Sequence, residues 1–303
     1  MRRVIASLFK FIFIGSDLGT TSPKYSGSIL GTDNCIYFAP RDPNRILKLD
    51  ISTQTTSFVG SVLSGVEKYY GGVLGTDNCI YFAPANAAQI LKFNISTQTT
   101  SFVGSNLGTG GKYLGGVLGT DNCIYFTPLN AAQILKFDIS TQTTSFVGGN
   151  LGATTNKYVG GVLGTDSCIY FAPSRSAQIL KFDISTQTTS FVGSNLGVSS
   201  DKYLGASLSP DNCIYFSPGT NNQILKFDIS TQTTSFVGGI LPVGYRLYFG
   251  AILGGSNIYF TPHTSRKILS LQMHIAVNPS DCIIPANLAD LPNSNYNRYF
   301  NKL

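Results

Sequence analysis

Charge is what this 303-residue chain has least of: 12% of its residues are Asp, Glu, Lys or Arg, where a globular domain carries about 25%. Tryptophan is absent and there are two histidines, His263 and His274. A zinc site or a histidine-based triad has too little to build on, and the residues imply no metal and no cofactor. No run of 18 apolar residues exists, so no helix of the length a bilayer needs is expected. Neither the phosphate-binding loop pattern nor the dinucleotide fingerprint opens a helix. A net charge of +6 is spread along the chain rather than gathered. Nucleic-acid binding, which asks for a basic patch or stripe, is therefore not expected. Hydrophobic residues make up 43%, which excludes a disordered tail-like chain.

What the chain has instead is repetition. The decapeptide Ile-Ser-Thr-Gln-Thr-Thr-Ser-Phe-Val-Gly recurs verbatim at 51–60, 95–104, 139–148, 184–193 and 229–238. Ahead of each copy stand Ile-Leu-Lys-Phe-Asp or a variant, Cys-Ile-Tyr-Phe-x-Pro, and a Lys-Tyr followed by glycine-rich apolar sequence. The period of 44–45 residues belongs to repeat architectures, propellers among them. Helical repeats would need apolar residues every 3.6 positions, and none is seen.

Each unit reads as four strands, exemplified by Tyr113–Leu118, Cys123–Thr127, Ile134–Ile139 and Thr144–Val147. Glycine, asparagine and aspartate supply the turns between them. Four strands per repeat around an axis predict an all-β propeller. Phe13–Gly19 matches Phe102–Gly108 at five of seven positions, so the N-terminus offers a lone fourth strand. Tyr248–Leu253, Asn257–Thr261 and Lys267–Gln272 supply three strands with no fourth. The expectation is six blades over 1–273, with an N-terminal strand completing the last, and an irregular asparagine-rich tail over 274–303.

Five cysteines, Cys35, Cys79, Cys123, Cys168 and Cys213, occupy one equivalent position per repeat. Such positions lie too far apart for disulfides, which predicts buried thiols; Cys282 stands apart in the tail. Thiols of this kind favour a reducing, cytoplasmic setting. The start Met1-Arg2-Arg3 before Val4–Phe9 keeps secretion as the alternative. Asp50, Asp138, Asp183 and Asp228 precede the decapeptide and read as turn-forming groups, as do Asp33, Asp77, Asp121, Asp166 and Asp211 in the preceding hairpin.

The repeat resembles kelch units and their galactose-oxidase-like relatives. Ile80-Tyr81 matches the Ile-Tyr strand, and Phe137-Asp138 with Thr141 matches the turn of those units. Ala83-Pro84 stands in place of the double glycine, and Phe102 in place of a tryptophan. The resemblance implies a propeller used mostly for protein interaction. With copied repeats offering the same residues again and again, it leads to the expectation of a non-enzymatic, monomeric module with no catalytic residue. Such a module binds a protein partner through its variable loops, which join the second to the third strand and the fourth strand to the next blade. The alternative is a multivalent lectin-like binder of glycans or small anions using equivalent sites. The candidate ligand groups are Lys24, Lys68, Lys112, Lys157, Lys202 and Arg246, with Tyr69, Tyr113, Tyr158 and Tyr203, ringing one mouth of the central channel. The competing reading gives those lysines a structural place at strand ends.

Overall fold

The computed structural model describes residues 15, 17–18, 24–199 and 201–272. Within them lie five four-stranded antiparallel sheets and one three-stranded sheet, arranged as six blades around an axis. The third blade has strands Tyr113–Leu118, Cys123–Pro128, Ile134–Asp138 and Thr143–Val147, close to the expected bounds. Pro128 is the last strand residue, paired with Tyr113, a strand end where no donor is needed. The last blade holds Tyr248–Gly254, Asn257–Pro262 and Leu269–Gln272. The expected N-terminal strand lies outside the described residues, as do the tail and Cys282. Gly15 is described: its φ is +82°, and a Cβ there would meet the Thr56 side chain. Gly60 stands against Thr100, and Gly104 against Thr144, in the same way.

The first strand of each blade is innermost, and neighbouring first strands touch along the ring. Each carries a bulge whose glycine has positive φ: Gly27, Gly71, Gly115, Gly160, Gly205 and Gly250. At Gly205 a Cβ would lie 2.7 Å from the Gly250 Cα. Only glycine permits both that φ and that approach. The second strands are wholly buried in blades two to five. Their Ile-Tyr-Phe faces pack between adjacent sheets, so each core cluster is shared by two blades. Tyr81, for example, lies 5.0 Å from Phe137 of the following blade, centroid to centroid. The five repeat cysteines are buried free thiols. Burial pushes those of Cys79, Cys123, Cys168 and Cys213 up to about 11, which makes them unreactive.

The two faces of the ring differ. On one, the conserved-in-copy hairpins link blades: Tyr81 Oη donates to Asp77 at 2.8 Å, and Gln142 of the next blade donates to Tyr81 Oη at 3.2 Å. The decapeptide aspartates are turn formers as expected, Asp138 accepting from the backbone N–H groups of Ser140 and Thr141. On the other face the two variable loop sets meet, Leu107 N–H donating to Ala88 O at 2.8 Å and Lys112 N–H to Ala85 O at 3.2 Å.

Candidate functional site at the axis of the variable face

The lysines expected to ring the mouth are placed chiefly under the loops. Lys68, Lys157 and Lys202 are 3%, 2% and 0% exposed. Lys157 Nζ donates to the carbonyls of Asn130, Gly152 and Thr154, and Lys112 Nζ to those of Ala85, Ala87, Gly108 and Gly110. Lys68 holds Asp42 O and Gly65 O; Lys202 holds Ser174 O and Ser199 O. Each amine ties a loop of the preceding blade to the loop leading into its own. Burial pushes the Lys202 ammonium down to about 8 and lowers Lys68, Lys112 and Lys157 as well. Lys24 is half-buried at the start of blade one. Tyr69, Tyr113, Tyr158 and Tyr203 are buried; Tyr203 packs on Phe216 and its hydroxyl accepts from Asn221. Arg246 sits in a charged cluster, its Nε 3.1 Å from Asp201.

Two positions per blade adjoin the inner strands on this face, and the copying does not preserve them. The residue before each bulge glycine is Ser26, Tyr70, Leu114, Val159, Leu204 or Phe249. The residue after each second-strand proline is Arg41, Ala85, Leu129, Ser174, Gly219 or His263. The two series touch: Arg41 lies over the Tyr70 ring at 4.8 Å, and His263 stacks against Phe249 at 6.0 Å. A Cβ on Gly219 would meet Leu204 at 2.9 Å. Arg41 also pairs with Glu67. Burial pushes the Tyr70 hydroxyl up, while Arg41 and, from blade six, Arg246 act in the opposite sense. Charges from opposite parts of the chain thus converge here. The result is an aliphatic arc of half-buried Leu114 and buried Val159 and Leu204, 4% and 1% exposed, flanked by the more accessible Tyr70 with Arg41–Glu67 and Phe249 with His263. Such a patch can stack on a ring, bury an apolar group and offer an imidazole for proton transfer. The signal for it was in the sequence, as non-identity at two positions inside otherwise repeated strands and loops.

On the opposite face lie openings of about 650 Å³ between blades four and five and about 510 Å³ between blades one and two. They are lined by copied groups that already bind one another, as Lys181 does Asp166 at 3.0 Å and Tyr170 does Asp166 at 2.8 Å.

No family model matches the sequence, and no curated protein is similar to it. Solved structures do share its shape. Virginiamycin B lyase from Staphylococcus aureus is 13% identical with a TM-score of 0.66, over 83% of this chain and 85% of that one. A catalytically inactive form of that lyase with quinupristin is 14% identical, TM-score 0.65, over 84% and 85%. A streptogramin B lyase is 18% identical, TM-score 0.67, over 84% and 85%. At such identities the likeness shows the fold, a six-bladed β-propeller. It also corrects the expectation of a non-enzymatic module binding a protein partner, with its lectin-like or anion-binding alternative. That expectation rested on a kelch-like class, and the neighbours are lyase-type propellers. Among the described residues no helix is long and apolar enough to cross a membrane.

Proposed function

We propose that the protein holds one small organic molecule per chain at the axial patch of its variable face. The observation that carries this is the loss of copying at the twelve axial positions in repeats that elsewhere preserve a decapeptide verbatim. Side chains that differ from blade to blade build a single asymmetric site, which suits one ligand with distinct ends. Tyr70, Phe249 and the aliphatic arc favour a ligand with a ring and an apolar portion. The paired charges of Arg41–Glu67 and Asp201–Arg246 favour one that is neutral or zwitterionic overall.

A second reading, chemical conversion of that molecule, is favoured by His263 on the patch and by the lyases that share the fold. The argument from copied repeats against catalysis does not reach these positions, because they are not copied. Quinupristin, named with one of those neighbours, is the first probe, followed by a thermal-shift screen of cyclic organic compounds. A compound that raises the melting temperature is expected to bind one per chain and to lose affinity at least tenfold in Tyr70→Ala or Phe249→Ala. Binding unaffected by both substitutions, or a stoichiometry near the number of repeats, overturns the reading. Turnover abolished by His263→Ala with binding retained supports conversion.

A further inference from the structure

The scarcity of charge is not evenly distributed. Segments 51–66, 95–111, 139–156, 184–200 and 229–245 contain no Asp, Glu, Lys or Arg. Each includes the outermost strand of a blade, Thr-Thr-Ser-Phe-Val, which pairs on one side only. The circumference of the ring therefore offers five open strand edges without a charge. Natural proteins commonly guard such edges with lysine, proline or a covering element, and among the described residues these have none.

Within the copied decapeptide, most side chains have a visible place. Gln142 bonds Tyr81 and the Ile139 carbonyl, and Thr144 accepts from Ser105 N–H while packing on Gly104. The phenylalanine is the exception. Phe58, Phe102, Phe146, Phe191 and Phe236 are 52–59% exposed, yet the residue is the same in all five copies. Burial in the propeller does not account for it.

We infer that the outer strands are a self-association surface, and that their partner is the same strand of a second copy of this chain. Antiparallel pairing centred on the serine sets Ser against Ser, Phe against Thr and Val against Thr. That register places no charge opposite a like charge, which is the usual obstacle to edge pairing of identical strands. A five-residue edge is about 17 Å long at about 3.3 Å per residue, too little surface for a stable interface of about 1,200 Å² or more. One contact is therefore weak, and several edges on each ring add through avidity. The expected product is a concentration-dependent series of assemblies rather than one tight dimer.

Light scattering and sedimentation of the full chain, across the accessible concentration range, test this. The native protein should rise above the mass of one chain as concentration increases. The triple variant Phe102→Lys/Phe146→Lys/Phe191→Lys should associate markedly less, three of its five edges then being guarded by charge. So should Ser101→Lys/Ser145→Lys/Ser190→Lys, which keeps every phenylalanine but guards the edges. Melting curves check that both triples remain folded, as the exposure of these positions leads one to expect. A native mass of one chain throughout overturns the inference. So does association that persists undiminished in both triples, or that falls in the phenylalanine variant alone, which would make it ring stickiness rather than strand pairing.

Discussion

Each repeat contributes two lysines, one to each face of the ring, and they are held in opposite ways. On the copied face Lys136 lies 3.0 Å from Asp121 and over the Tyr125 ring. Burial works against its ammonium, but Asp121 and Tyr125 outweigh that and raise its pKa. On the variable face Lys157 meets three carbonyls and, among the described residues, no acid, and burial lowers it. The first lysine completes a network that another charge could replace. The second, together with backbone bonds such as Leu151 N–H to Ala132 O and Lys157 N–H to Leu129 O, holds two loops of otherwise free sequence. A face whose loops vary needs a clamp that reads backbone rather than side chains, since carbonyls survive any substitution around them.

The largest expected effect breaks that clamp. Lys157→Met should lower the unfolding free energy by about 1.5–3 kcal/mol, since three part-buried carbonyls lose a charged donor. Lys136→Met, on a partly exposed pair, should cost below about 1 kcal/mol. Urea unfolding of the two variants measures the difference, and equal losses would abolish the distinction between the faces.

The pH response sharpens the same comparison. Burial disfavours the Asp121 carboxylate, but hydrogen bonds from Lys136 and Tyr125 overcome it and set its pKa below the ordinary 3.8; Asp77 is held likewise by Lys92 and Tyr81. Their stabilising contribution is complete above the unfolded value and is lost as pH falls through the lower folded one. Lys202 acts at the other end. Its folded value of about 8 is below its ordinary 10.5, so between them the unfolded chain binds the extra proton and stability gains as pH rises. Melting temperatures should show Lys202→Met flattening the alkaline limb alone, and Asp121→Asn the acid limb alone.

The ring was legible in the sequence because each strand announces itself five times. Cys-Ile-Tyr-Phe and Ile-Leu-Lys-Phe alternate between sheet faces that are both buried, and repeats identify the turns between them. The site was not legible in the same way. Lysine before tyrosine looked like a charged rim because sequence gives no sign of where a long side chain bends. Here it bends under loop carbonyls, which have no sequence signature. The residues of the proposed patch are inconspicuous singly: Leu114, Val159 and Leu204 read as ordinary strand residues. Arg41 and His263 stand at loop starts where variation is unremarkable. Only the bulge glycines, by letting neighbouring first strands approach as Gly205 and Gly250 do, bring them toward one surface.

The smallest effect concerns one departure from copying on the mostly copied face. Asn34, Asn78, Asn122 and Asn212 hold left-handed φ of 58–60°. Asn78, Asn122 and Asn212 accept from Thr32, Thr76 and Thr165 of the preceding blade. Their amides donate to Ser96, Ser140 and Ser230. Blade four has Ser167 there, at φ 58°, and its hydroxyl is too short to make both links. Ser185, left without that amide donor, turns its own hydroxyl to Asp183 at 2.7 Å. Ser167→Asn should restore the bond from Thr120 and the donation to Ser185, in a conformation asparagine tolerates better than serine. The gain expected is about 0.5–1.5 kcal/mol, read as a raised urea midpoint at unchanged slope. A loss would mean that the copied face, too, has been adjusted at blade four for something other than stability.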